Sequence, residues 1–552
     1  MMENGMADVD VDVLIVGAGP TGLMLAAQLE RFGARFRIVD RAADRAHESR
    51  ALAVQARTLE LLDALGLADA LVERGNPGAR LRMILEGRLA AEATLGDFAG
   101  DTRFPYILFV SQAETEALLG DYLAARGVRI ERRVEMARFA DAGGAVECVL
   151  RAADGREERV RARWLAGCDG AHSPVRKGAG IDFRGGAYLQ RFMLGDVEAD
   201  GALVPDTLNA FVRGGAVAIV FPLGRPTTWR VIATSGERFA ERADGGELAT
   251  EELELDELQS VVSIASADAV TLRDPAWLAD FRLHHRQAAR YSAGRVFLAG
   301  DAAHIHSPVG GQGMNTGMQD AWSLGWKLAL VARGQASPAM LETYGDERMP
   351  VGRVLLRSTD RAFSLFMRGA GAGRLARWIR RNVAGRVLPR VLGSRRLRAR
   401  AFRFVSELAI RYRHSPAVEE GEPRLHGGPR AGDRLPDARV ALDGRETRLH
   451  AELAAPGLHL LLCGDPAGWD GARVDEVRAR CAAPLAVHHL AAEPAPGVLA
   501  DAGGEALARL AVRDDAQYLV RPDGHVAFRC AGRDLAGLEA YLRRWFSPPV
   551  AG

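Results

Sequence analysis

Lysine is almost missing from this sequence of 552 residues. Of its 72 basic residues, only Lys177 and Lys327 are lysines, and the rest are arginines. An excess of one charge is missing as well, because 71 acidic residues leave a formal net charge of +1. This balance excludes a nucleic-acid-binding protein that depends on bulk positive charge, although a local basic patch stays compatible with it.

Cysteine is scarce and scattered along the chain. The sequence contains five cysteines, with neither CxxC spacing nor a histidine cluster beside them. This pattern is typical of a protein in a reducing cytoplasm and does not fit a structural zinc site, so we expect no bound metal. The five are Cys148, Cys168, Cys463, Cys481 and Cys530.

Long hydrophobic runs are also missing. The most apolar stretch, residues 13–27, is short and is interrupted by glycines and Pro20, and the N-terminal tail is acidic where a secretory signal is basic. We therefore expect a cytoplasmic protein without export and without a membrane span. Its 48% hydrophobic and 26% charged residues are ordinary for a folded globular protein. At about 150 residues per domain, the length allows roughly three to four structural units.

A glycine-rich turn near the N-terminus is the first feature with a chemical meaning. Residues 11–16, VDVLIV, are typical of a buried parallel strand, and they lead into GAGPTG at 17–22 and an amphipathic helical pattern. Gly17 permits the tight turn, Gly19 lets a pyrophosphate approach the backbone, and Gly22 allows the helix to pack closely on the strand. The N–H groups at the helix N-terminus then face the anion.

An acidic residue follows at the spacing expected for a dinucleotide site. A second strand pattern, residues 35–39, ends before Asp40, 23 positions after Gly17, where a carboxylate can accept hydrogen bonds from ribose hydroxyls. The turn and Asp40 together predict a dinucleotide-binding domain. NAD and FAD share this turn, so these residues leave the identity of the dinucleotide open.

Two further segments resemble the motifs of one flavoprotein family. Residues 167–176, GCDGAHSPVR, resemble the DGxxSxVR motif of the class A flavoprotein monooxygenases, the aromatic hydroxylases that include para-hydroxybenzoate and phenol hydroxylases. Residues 295–304, RVFLAGDAAH, together with SPVGGQGMN at 307–315, are similar to that family's GD motif and flavin loop. The resemblance covers roughly residues 10–350 and implies that the dinucleotide is FAD.

The second of these segments suits this role on physical grounds. Residues 296–299 predict a buried strand, and Gly300-Asp301 at its carboxyl end places a carboxylate at the sheet edge, where it can accept a ribityl hydroxyl. The turn at 310–315 opens a predicted helix over 322–331. Its N–H groups can therefore face the pyrimidine end of the flavin and stabilise the reduced, anionic form.

The resemblance also implies contacts that the patterns alone do not give. Arg50 is expected at the FAD pyrophosphate and Gln112 at the flavin chain, although a plain exposed first-turn residue stays open for Gln112. Independently of the resemblance, the pattern predicts Ser111 as a helix N-cap with Glu114 at the capping-box position. For Arg57, an ion pair on a helix face and a ligand role both stay open. No motif names a catalytic residue. The predicted cofactor-binding residues are Gly17, Gly19, Pro20, Thr21, Gly22, Asp40, Arg41, Arg50, Gln112, Asp169, Gly300, Asp301, Pro308, Gly311, Gly313, Met314 and Asn315.

The predicted fold class is α/β, with a Rossmann-like FAD-binding domain, an inserted antiparallel-sheet substrate domain, a helical linker and a C-terminal thioredoxin-like domain. Short alternating bursts over 183–232 indicate the antiparallel sheet. Val217, Ile219 and Phe221 share one face of it, and we expect that face in the core. The predicted boundaries are 1–182 and 276–360 for the FAD-binding domain, 183–275 for the sheet domain, 361–426 for the linker and 427–552 for the last domain.

Residues 374–413 are strongly basic, with apolar residues between the arginines and Glu407 as the one acidic side chain. A helix on a membrane surface or on nucleic acid is one interpretation. The other is a set of linker helices whose arginines meet the acidic stretch 247–257 or its equivalent in another subunit. The net charge of +1 favours the linker helices, so we expect neither a nucleic-acid partner nor a membrane partner.

The C-terminal part resembles thioredoxin in its order of elements but lacks its chemistry. After the Pro/Gly-rich stretch 427–436, the pattern predicts β, α, β, β, β and α elements, with the first strand at 458–462. Thioredoxins carry CxxC after this strand, whereas here Cys463 stands alone, which excludes dithiol exchange. We expect this domain to be structural or to form a homodimer.

The resemblance implies the reaction as well. NAD(P)H binds transiently, since no second GxGxxG follows a strand, and it reduces FAD and leaves; O2 then gives a flavin C4a-hydroperoxide that transfers one oxygen to an electron-rich ring. The predicted function is hydroxylation of a small phenolic substrate. A polycyclic polyketide intermediate of antibiotic biosynthesis is favoured by the arginine-rich bias, and a single-ring phenol of aromatic degradation is the alternative.

Two other classes of function compete with hydroxylation. One is a different flavin reaction such as epoxidation, halogenation or dehydrogenation, and the other is an FAD-binding sensor without catalysis. The WxWxIP segment of flavin halogenases is missing, which disfavours halogenation.

Overall fold

The computed structural model describes residues 9–45, 51–78, 80–94, 100–223, 227–234, 253–305, 311–369 and 394–546. Strands and helices alternate over the N-terminal part, as expected for an α/β domain. Its elements are β1 (Val11–Val16), α1 (Pro20–Arg31), β2 (Phe36–Asp40), β3 (Ala53–Val54), α2 (Ala56–Asp63), α3 (Ala68–Arg74), β4 (Asn76–Gly78), β5 (Arg80–Leu85), β6 (Arg88–Thr94), β7 (Ile107–Phe109), α4 (Gln112–Ala124), β8 (Ile130–Arg132), β9 (Val134–Asp141), β10 (Val146–Ala152), β11 (Glu157–Gly167) and α5 (Pro174–Gly178).

The middle of the chain begins with long strands and ends with long helices. Its elements are β12 (Phe183–Gly201), β13 (Thr207–Arg213), β14 (Ala216–Pro222), β15 (Trp229–Thr234), α6 (Leu255–Ser266), β16 (Val270–Ala288), β17 (Ser292–Ala293), β18 (Val296–Leu298), β19 (His304–Ile305), α7 (Gly313–Ala332), α8 (Ala339–Gly369) and α9 (Arg395–Val405).

The C-terminal part returns to shorter, alternating elements. They are β20 (Glu419–Glu420), β21 (Arg439–Leu442), β22 (Arg445–Arg448), α10 (Leu449–Glu452), β23 (Leu458–Cys463), α11 (Gly471–Arg480), β24 (Leu485–Ala491), β25 (Val498–Ala500), α12 (Glu505–Leu510), β26 (Ala516–Val520), β27 (Val526–Ala531) and α13 (Ala536–Trp545).

The first sheet carries the predicted strand at residues 11–16 in its interior. The strand order is β17-β18-β11-β1-β2-β8, with β10 and β9 attached beside β11, so the sheet has eight strands. β1 is parallel to β2 and to β11, and β11 is parallel to β18. The carboxyl ends of these four strands therefore meet at one edge of the sheet, which is where open α/β sheets bind ligands.

The second sheet is larger than the predicted insertion. Its order is β19-β16-β12-β15-β14-β13-β5-β6, and all neighbours are antiparallel except β13 and β5. The sheet extends beyond the predicted range 183–275, because β16 continues to Ala288 and because β5 and β6 from the N-terminal part join it. These strands extend the sheet since an edge strand offers unpaired N–H and C=O groups to any segment that reaches it. Local sequence patterns do not show such pairing.

The two faces of the second sheet have different neighbours. One face packs against α6 through apolar side chains that include Ala218, Val220 and Leu258. The opposite face packs against the small sheet β3-β7-β4, where Phe109 and Phe221 contact each other with ring centroids 5.6 Å apart. The second sheet is thus held between a covering helix and the FAD-binding domain.

The third sheet forms the C-terminal domain and has the expected thioredoxin-like order. Its strands run β20-β27-β26-β23-β24-β25-β21-β22. β23 and β24 are parallel and joined through α11, whereas β26 and β27 form the predicted antiparallel hairpin. β21, β22, β25 and α12 were not predicted, because elements of three to six residues carry too little periodicity to detect. Cys463 ends β23, and all five cysteines are free and buried.

The basic segment lies partly outside the described residues, since residues 370–393 are not among them. Of its described arginines, Arg403 on α9 pairs with Asp101 of the FAD-binding domain at 2.6 Å, and Arg413 pairs with Asp433 of the C-terminal domain at 2.7 Å. Glu257, from the acidic stretch, pairs instead with Arg191 of β12 at 3.1 Å. Arg403 and Arg413 therefore link domains through carboxylates outside the stretch 247–257, of which only residues 253–257 are among the described residues.

Candidate functional site

The turn after β1 has two crowded glycines and one open glycine. A Cβ on Gly17 would lie 2.3 Å from the Cys168 carbonyl oxygen, and the backbone there has a φ of +101°. A Cβ on Gly22 would lie 1.9 Å from the Gly17 oxygen, whereas a Cβ on Gly19 would have no atom within 4 Å. Gly17 and Gly22 therefore allow the strand, the turn and the helix to pack closely together. At Gly19 the space beside the backbone is open. This arrangement fits the approach of a pyrophosphate to the turn.

Helix α1 begins at this open space. Gly19 is its N-cap and Pro20 its first residue, so the N-terminal N–H groups of the helix are not capped by a side chain. Such groups, together with the helix dipole, favour an anion. Thr21 lies beside them, and a Cβ added at Gly300 or Gly317 would lie 2.5 or 2.6 Å from its hydroxyl oxygen, so Thr21 packs closely against both glycines.

Asp40 lies at the end of β2 and is bound to the same turn. Its Oδ2 accepts a hydrogen bond from the Ala18 N–H at 2.6 Å, and its Oδ1 accepts one from the Ala42 N–H at 2.7 Å. Arg132 approaches Oδ2 at 3.6 Å. Asp40 thus closes the turn as well as lying where a ribose is expected, and Arg41 beside it is exposed.

The DG segment is bound to the GD segment through one arginine. Asp169 accepts a hydrogen bond from the Val175 N–H at 3.0 Å, and burial raises the pKa of its carboxyl. The buried Arg176 guanidinium donates to the Ala171 oxygen at 3.0 Å and to the Ala302 oxygen at 3.1 Å. The DG and GD motifs, which were recognised separately in the sequence, are therefore joined by hydrogen bonds in the folded protein.

Gly300 and Asp301 form a tight turn after β18. Gly300 has a φ of +63°, and a Cβ there would lie 2.5 Å from the Thr21 hydroxyl oxygen, so the turn requires glycine. Asp301 follows in a short 3₁₀ turn, Gly300–Ala302, and its side chain is exposed. The carboxylate thus lies at the carboxyl end of a parallel strand, and its contact to a polyol stays a prediction.

Helix α7 begins at Gly313, nine residues earlier than the predicted start at 322. Gly313, Met314 and Asn315 therefore form its first turn instead of a loop before it. Asn315 is buried and donates to the Gly311 oxygen at 2.7 Å and to the Ala53 oxygen at 2.8 Å, and its Oδ1 accepts from the Gln55 N–H at 2.8 Å. The Asn315 side chain thus joins α7 to the β3 segment. Because these contacts occupy the side chain, we expect any contact of Asn315 with a cofactor to come from its backbone.

The predictions for five further residues have different outcomes. Arg50 and Pro308 lie outside the described residues. Ser111 is the N-cap of α4, as predicted, accepting from the Ala113 N–H at 3.3 Å; Glu114, however, pairs with Arg74 at 3.2 Å and not with the cap. The Gln112 side chain donates to Glu116 at 2.7 Å.

Arg57 takes part in an ion pair, which was one of its two open interpretations. It pairs with Glu60 at 2.8 Å and also donates to the Asp523 carbonyl oxygen of the C-terminal domain. Both side chains of the pair are buried. The structure shows Arg57 as a link between domains.

Sequence reasoning missed a buried cluster behind the GD turn. Asp320 of α7, His304 of β19 and Arg348 of α8 are in contact, and each is at most 1% exposed. Asp320, a charged residue in the apolar middle of the α7 pattern, is the sequence feature that could have indicated this cluster, because buried carboxylates need partners.

A half-buried apolar surface lies beside the predicted cofactor-binding residues. Ile219 and Phe221 lie on the face of β14 that is turned towards the small sheet, and Ile232 of β15 lies opposite Ile219. Val217, on the same face, is buried, so the expected core position holds for that residue. Ala53, which contacts the flavin-loop residue Gly311, belongs to the same apolar cluster as Phe221. This surface is therefore continuous with the candidate cofactor site.

Within the described ranges, no three or more His, Cys, Asp or Glu side chains are grouped as metal ligands. None of the helices in the described part of the chain combines the length and the apolarity needed to cross a bilayer.

Comparison with known proteins gives matches over nearly the whole chain. A family model for an FAD binding domain matches residues 10–359, and one for the C-terminal part of aromatic-ring hydroxylases matches 428–549. 6-Methylpretetramide 4-monooxygenase of Streptomyces rimosus is 36% identical over 534 residues, which are 96% of this chain and 93% of that protein.

Solved structures agree over nearly the full length. Anhydrotetracycline hydroxylase from Streptomyces rimosus superimposes with a TM-score of 0.74 at 31% identity, covering 98% of this chain and 100% of that one. Aklavinone-11 hydroxylase, solved with FAD and aklavinone, gives a TM-score of 0.74 at 27% identity, covering 98% of this chain and 99% of that one.

Proposed function

Because this chain belongs to the FAD-dependent aromatic-ring hydroxylases, we propose that it hydroxylates a phenolic ring of a polycyclic aromatic polyketide intermediate, with NAD(P)H and O2 as co-substrates. The monooxygenase class follows from the family. The choice of a polycyclic substrate over a single-ring phenol is our own inference.

The observation that carries this choice is the apolar surface formed by Ile219, Phe221 and Ile232. It is half-buried, it adjoins Phe109, and it is continuous through Ala53 with the segment that contacts Gly311. Fused aromatic rings are flat and apolar, so they gain more from such a surface than a single ring does, at roughly 25 cal/mol per Å² of buried apolar area. Several relatives, among them the tetracycline-type hydroxylases, have names that indicate fused-ring substrates, and these names support the same choice.

The residues of the turn fit FAD, and we assign them accordingly. Gly17, Gly19, Pro20, Thr21 and Gly22 would hold the pyrophosphate at the N-terminus of α1, since Gly19 is open where its neighbours are packed. Asp40 would accept from the ribose. Arg41, Arg50, Gln112, Asp169, Pro308 and the Gly311–Asn315 segment complete the proposed set.

At the other end, Asp301 would accept a ribityl hydroxyl and the first turn of α7 would present N–H groups to the flavin ring. FAD, once reduced by NAD(P)H, supplies the activated oxygen. The chain's own contribution is to orient the substrate ring on the apolar surface and to exclude water from it. The described residues around that surface include no side chain that geometry singles out as a proton acceptor, so we assign no catalytic base.

We also propose that the protein works in the cytoplasm. All five cysteines are free and buried, and burial raises the pKa of the Cys463 thiol to about 12, so these thiols are unreactive reduced side chains. A homodimer through the C-terminal domain stays a prediction.

The test is a substrate screen with the FAD-loaded protein. Fused-ring phenols should stimulate NAD(P)H oxidation and give products that gain one oxygen atom from ¹⁸O2. Stimulation by single-ring phenols alone would support the degradative alternative. A product that lacks the new phenolic hydroxyl would support epoxidation, and oxidation of NAD(P)H that no aromatic compound stimulates would contradict a hydroxylase function.

A further inference from the structure

One buried carboxylate in the middle of α7 touches the turn that presents Asp301. Asp320 Oδ2 accepts a hydrogen bond from the Gly300 backbone N–H at 3.2 Å and lies 2.7 Å from His304 Nε2. Its Oδ1 accepts from Arg348 Nε at 2.6 Å. Both ends of the segment 300–304 are therefore held by a single side chain.

We propose that Asp320 is the positioning residue for the cofactor turn: with His304 and Arg348 it holds Gly300 and Asp301 in the conformation that binds the ribityl chain of FAD. The proposal rests on the proposed binding of FAD at this turn. Asp320 itself is fully buried and would not touch the cofactor.

The turn needs such external support. Gly300 adopts a left-handed backbone conformation, and the 3₁₀ turn it starts contains one internal hydrogen bond of its own, from the Ala303 N–H to the Gly300 oxygen at 2.8 Å. A glycine at this position is conformationally free, so its geometry is set by what it contacts. Thr21 restricts it from one side by close approach, and Asp320 holds its N–H from the other.

The charge of Asp320 is maintained by its partners. Burial alone would raise the pKa of this carboxyl, but the Arg348 guanidinium and His304 outweigh burial and hold the pKa below its ordinary value. Arg348 is in turn fixed by hydrogen bonds to the Tyr412 hydroxyl at 2.8 Å and to the Thr316 oxygen at 3.1 Å. An ionised acceptor makes a stronger hydrogen bond to the Gly300 N–H than a neutral one.

The network also reaches the C-terminal domain. The Tyr412 ring contacts the ring of His525, which follows the turn between β26 and β27, with centroids 4.3 Å apart and the ring planes tilted by 39°. The Arg521 guanidinium lies 5.3 Å from the Tyr412 ring centroid. The last domain thereby supports, through Tyr412 and Arg348, the residue that holds the cofactor turn.

The experiment compares Asp320→Asn with Asp437→Asn in apoprotein reconstituted with FAD. Asp437 is a matched control, because it is an equally buried aspartate paired with an arginine, Arg448, but its side-chain contacts within the described residues do not include residues 300–304, Arg348 or Tyr412. The readouts are the Kd for FAD, from quenching of flavin fluorescence, and the visible circular dichroism of flavin at saturating FAD. Both are measured where far-UV spectra show each variant to be folded.

We expect Asp320→Asn to weaken FAD binding by about tenfold or more and to change the flavin dichroism, whereas Asp437→Asn should leave the Kd within threefold of wild type and the dichroism unchanged. Equal Kd values for wild type and Asp320→Asn, with similar losses of melting temperature in the two variants, would show a merely structural role and overturn the proposal. Failure of the wild-type protein to bind FAD would instead contradict the proposed function.

A second variant covers the case in which Asp320→Asn does not fold. His304→Phe keeps a ring in place but loses the bond to Asp320, and we expect it to weaken FAD binding at least threefold. An unchanged Kd in that variant would overturn the proposal.

Discussion

Arg434 of the C-terminal domain donates to Glu60 of α2 across 374 positions of sequence, with Nε to Oε2 at 2.8 Å. Both side chains are 4% exposed. Arg57 also pairs with Glu60 at 2.8 Å, so one buried carboxylate pairs with two buried guanidinium groups from two domains, and Asp101 supplies a second carboxylate to Arg434 at 3.1 Å. The C-terminal domain is therefore bound to the FAD-binding domain by desolvated charges.

Glu60→Gln should destabilise the protein strongly. Burial raises the pKa of Glu60 when taken alone, but Arg434 and its other cationic neighbours bring it well below the ordinary value, so the carboxylate is ionised and needed by both arginines. Removing one partner of a buried ion pair costs about 3–5 kcal/mol. Thermal unfolding should show a fall of several degrees, while Glu446→Gln, at an exposed position of β22, should melt like wild type. Equal melting temperatures for both variants would contradict the structural role of Glu60.

Gly17 and Gly19 should separate folding from cofactor binding. Gly17→Val introduces a branched side chain where a Cβ already lies 2.3 Å from a backbone oxygen, so it should lose both stability and FAD. Gly19→Ala meets no atom within 4 Å and Gly19 has an ordinary φ of −77°, so it should melt like wild type but bind FAD at least tenfold more weakly. Normal FAD affinity in Gly19→Ala would show that no phosphate approaches this turn.

Asp301→Ala should release FAD without unfolding the protein. The side chain is exposed, so the fold loses little, whereas a charge-assisted hydrogen bond to the ribityl chain is worth about 1.5–3 kcal/mol, or about 10- to 150-fold in Kd. Flavin fluorescence titration measures the change. Asp514→Ala, another exposed aspartate in the C-terminal domain, serves as the control. An unchanged Kd for Asp301→Ala would remove this residue from the cofactor site.

Cys463→Ser should leave turnover per bound FAD unchanged. The thiol is fully buried in the apolar cluster of the C-terminal domain, and burial raises its pKa to about 12, so no thiolate is available for redox chemistry. A small loss of stability is expected, because the serine hydroxyl is more polar than the thiol and costs more free energy to bury. NAD(P)H oxidation and product yield are the measurements. Loss of turnover in a folded, FAD-loaded serine variant would make the thiol part of the mechanism.

Glu407 should make stability fall as pH rises. Burial raises its pKa to about 7, with Thr316 and Gln319 as hydrogen-bond donors, whereas the unfolded carboxyl has a pKa near 4.5. The folded state therefore holds a proton that the unfolded state releases, and the stabilisation present below pH 4.5 is lost as pH rises through about 7. Glu407→Gln removes this titration, so its melting temperature should rise relative to wild type between pH 5 and pH 8. A constant difference across that range would show that Glu407 does not titrate there.

Much of the candidate site could be predicted from local sequence. The strand at 11–16, the crowded positions of Gly17 and Gly22, Asp40 at the end of β2 and the Gly300-Asp301 turn all lie where the patterns placed them. Each depends on a few consecutive residues whose conformational demands are read directly from residue type. The start of α7 was missed because Gly313 and Gly317 are poor helix formers. At Gly317 the close approach of Thr21, 2.6 Å from where a Cβ would lie, favours glycine within the helix.

The sequence by itself determined the fold class, the dinucleotide-binding turn, the family resemblance and the absence of a CxxC pair, because these depend on periodicity and on short motifs. Only the tertiary structure decided that β5 and β6 complete the second sheet, that Asp320 holds the cofactor turn and that Glu60 binds the C-terminal domain. The physical reason is that sheet edges and buried charges are satisfied by whatever group the folded chain brings to them. Their partners are chosen by distance in space, which the order of residues along the chain does not record.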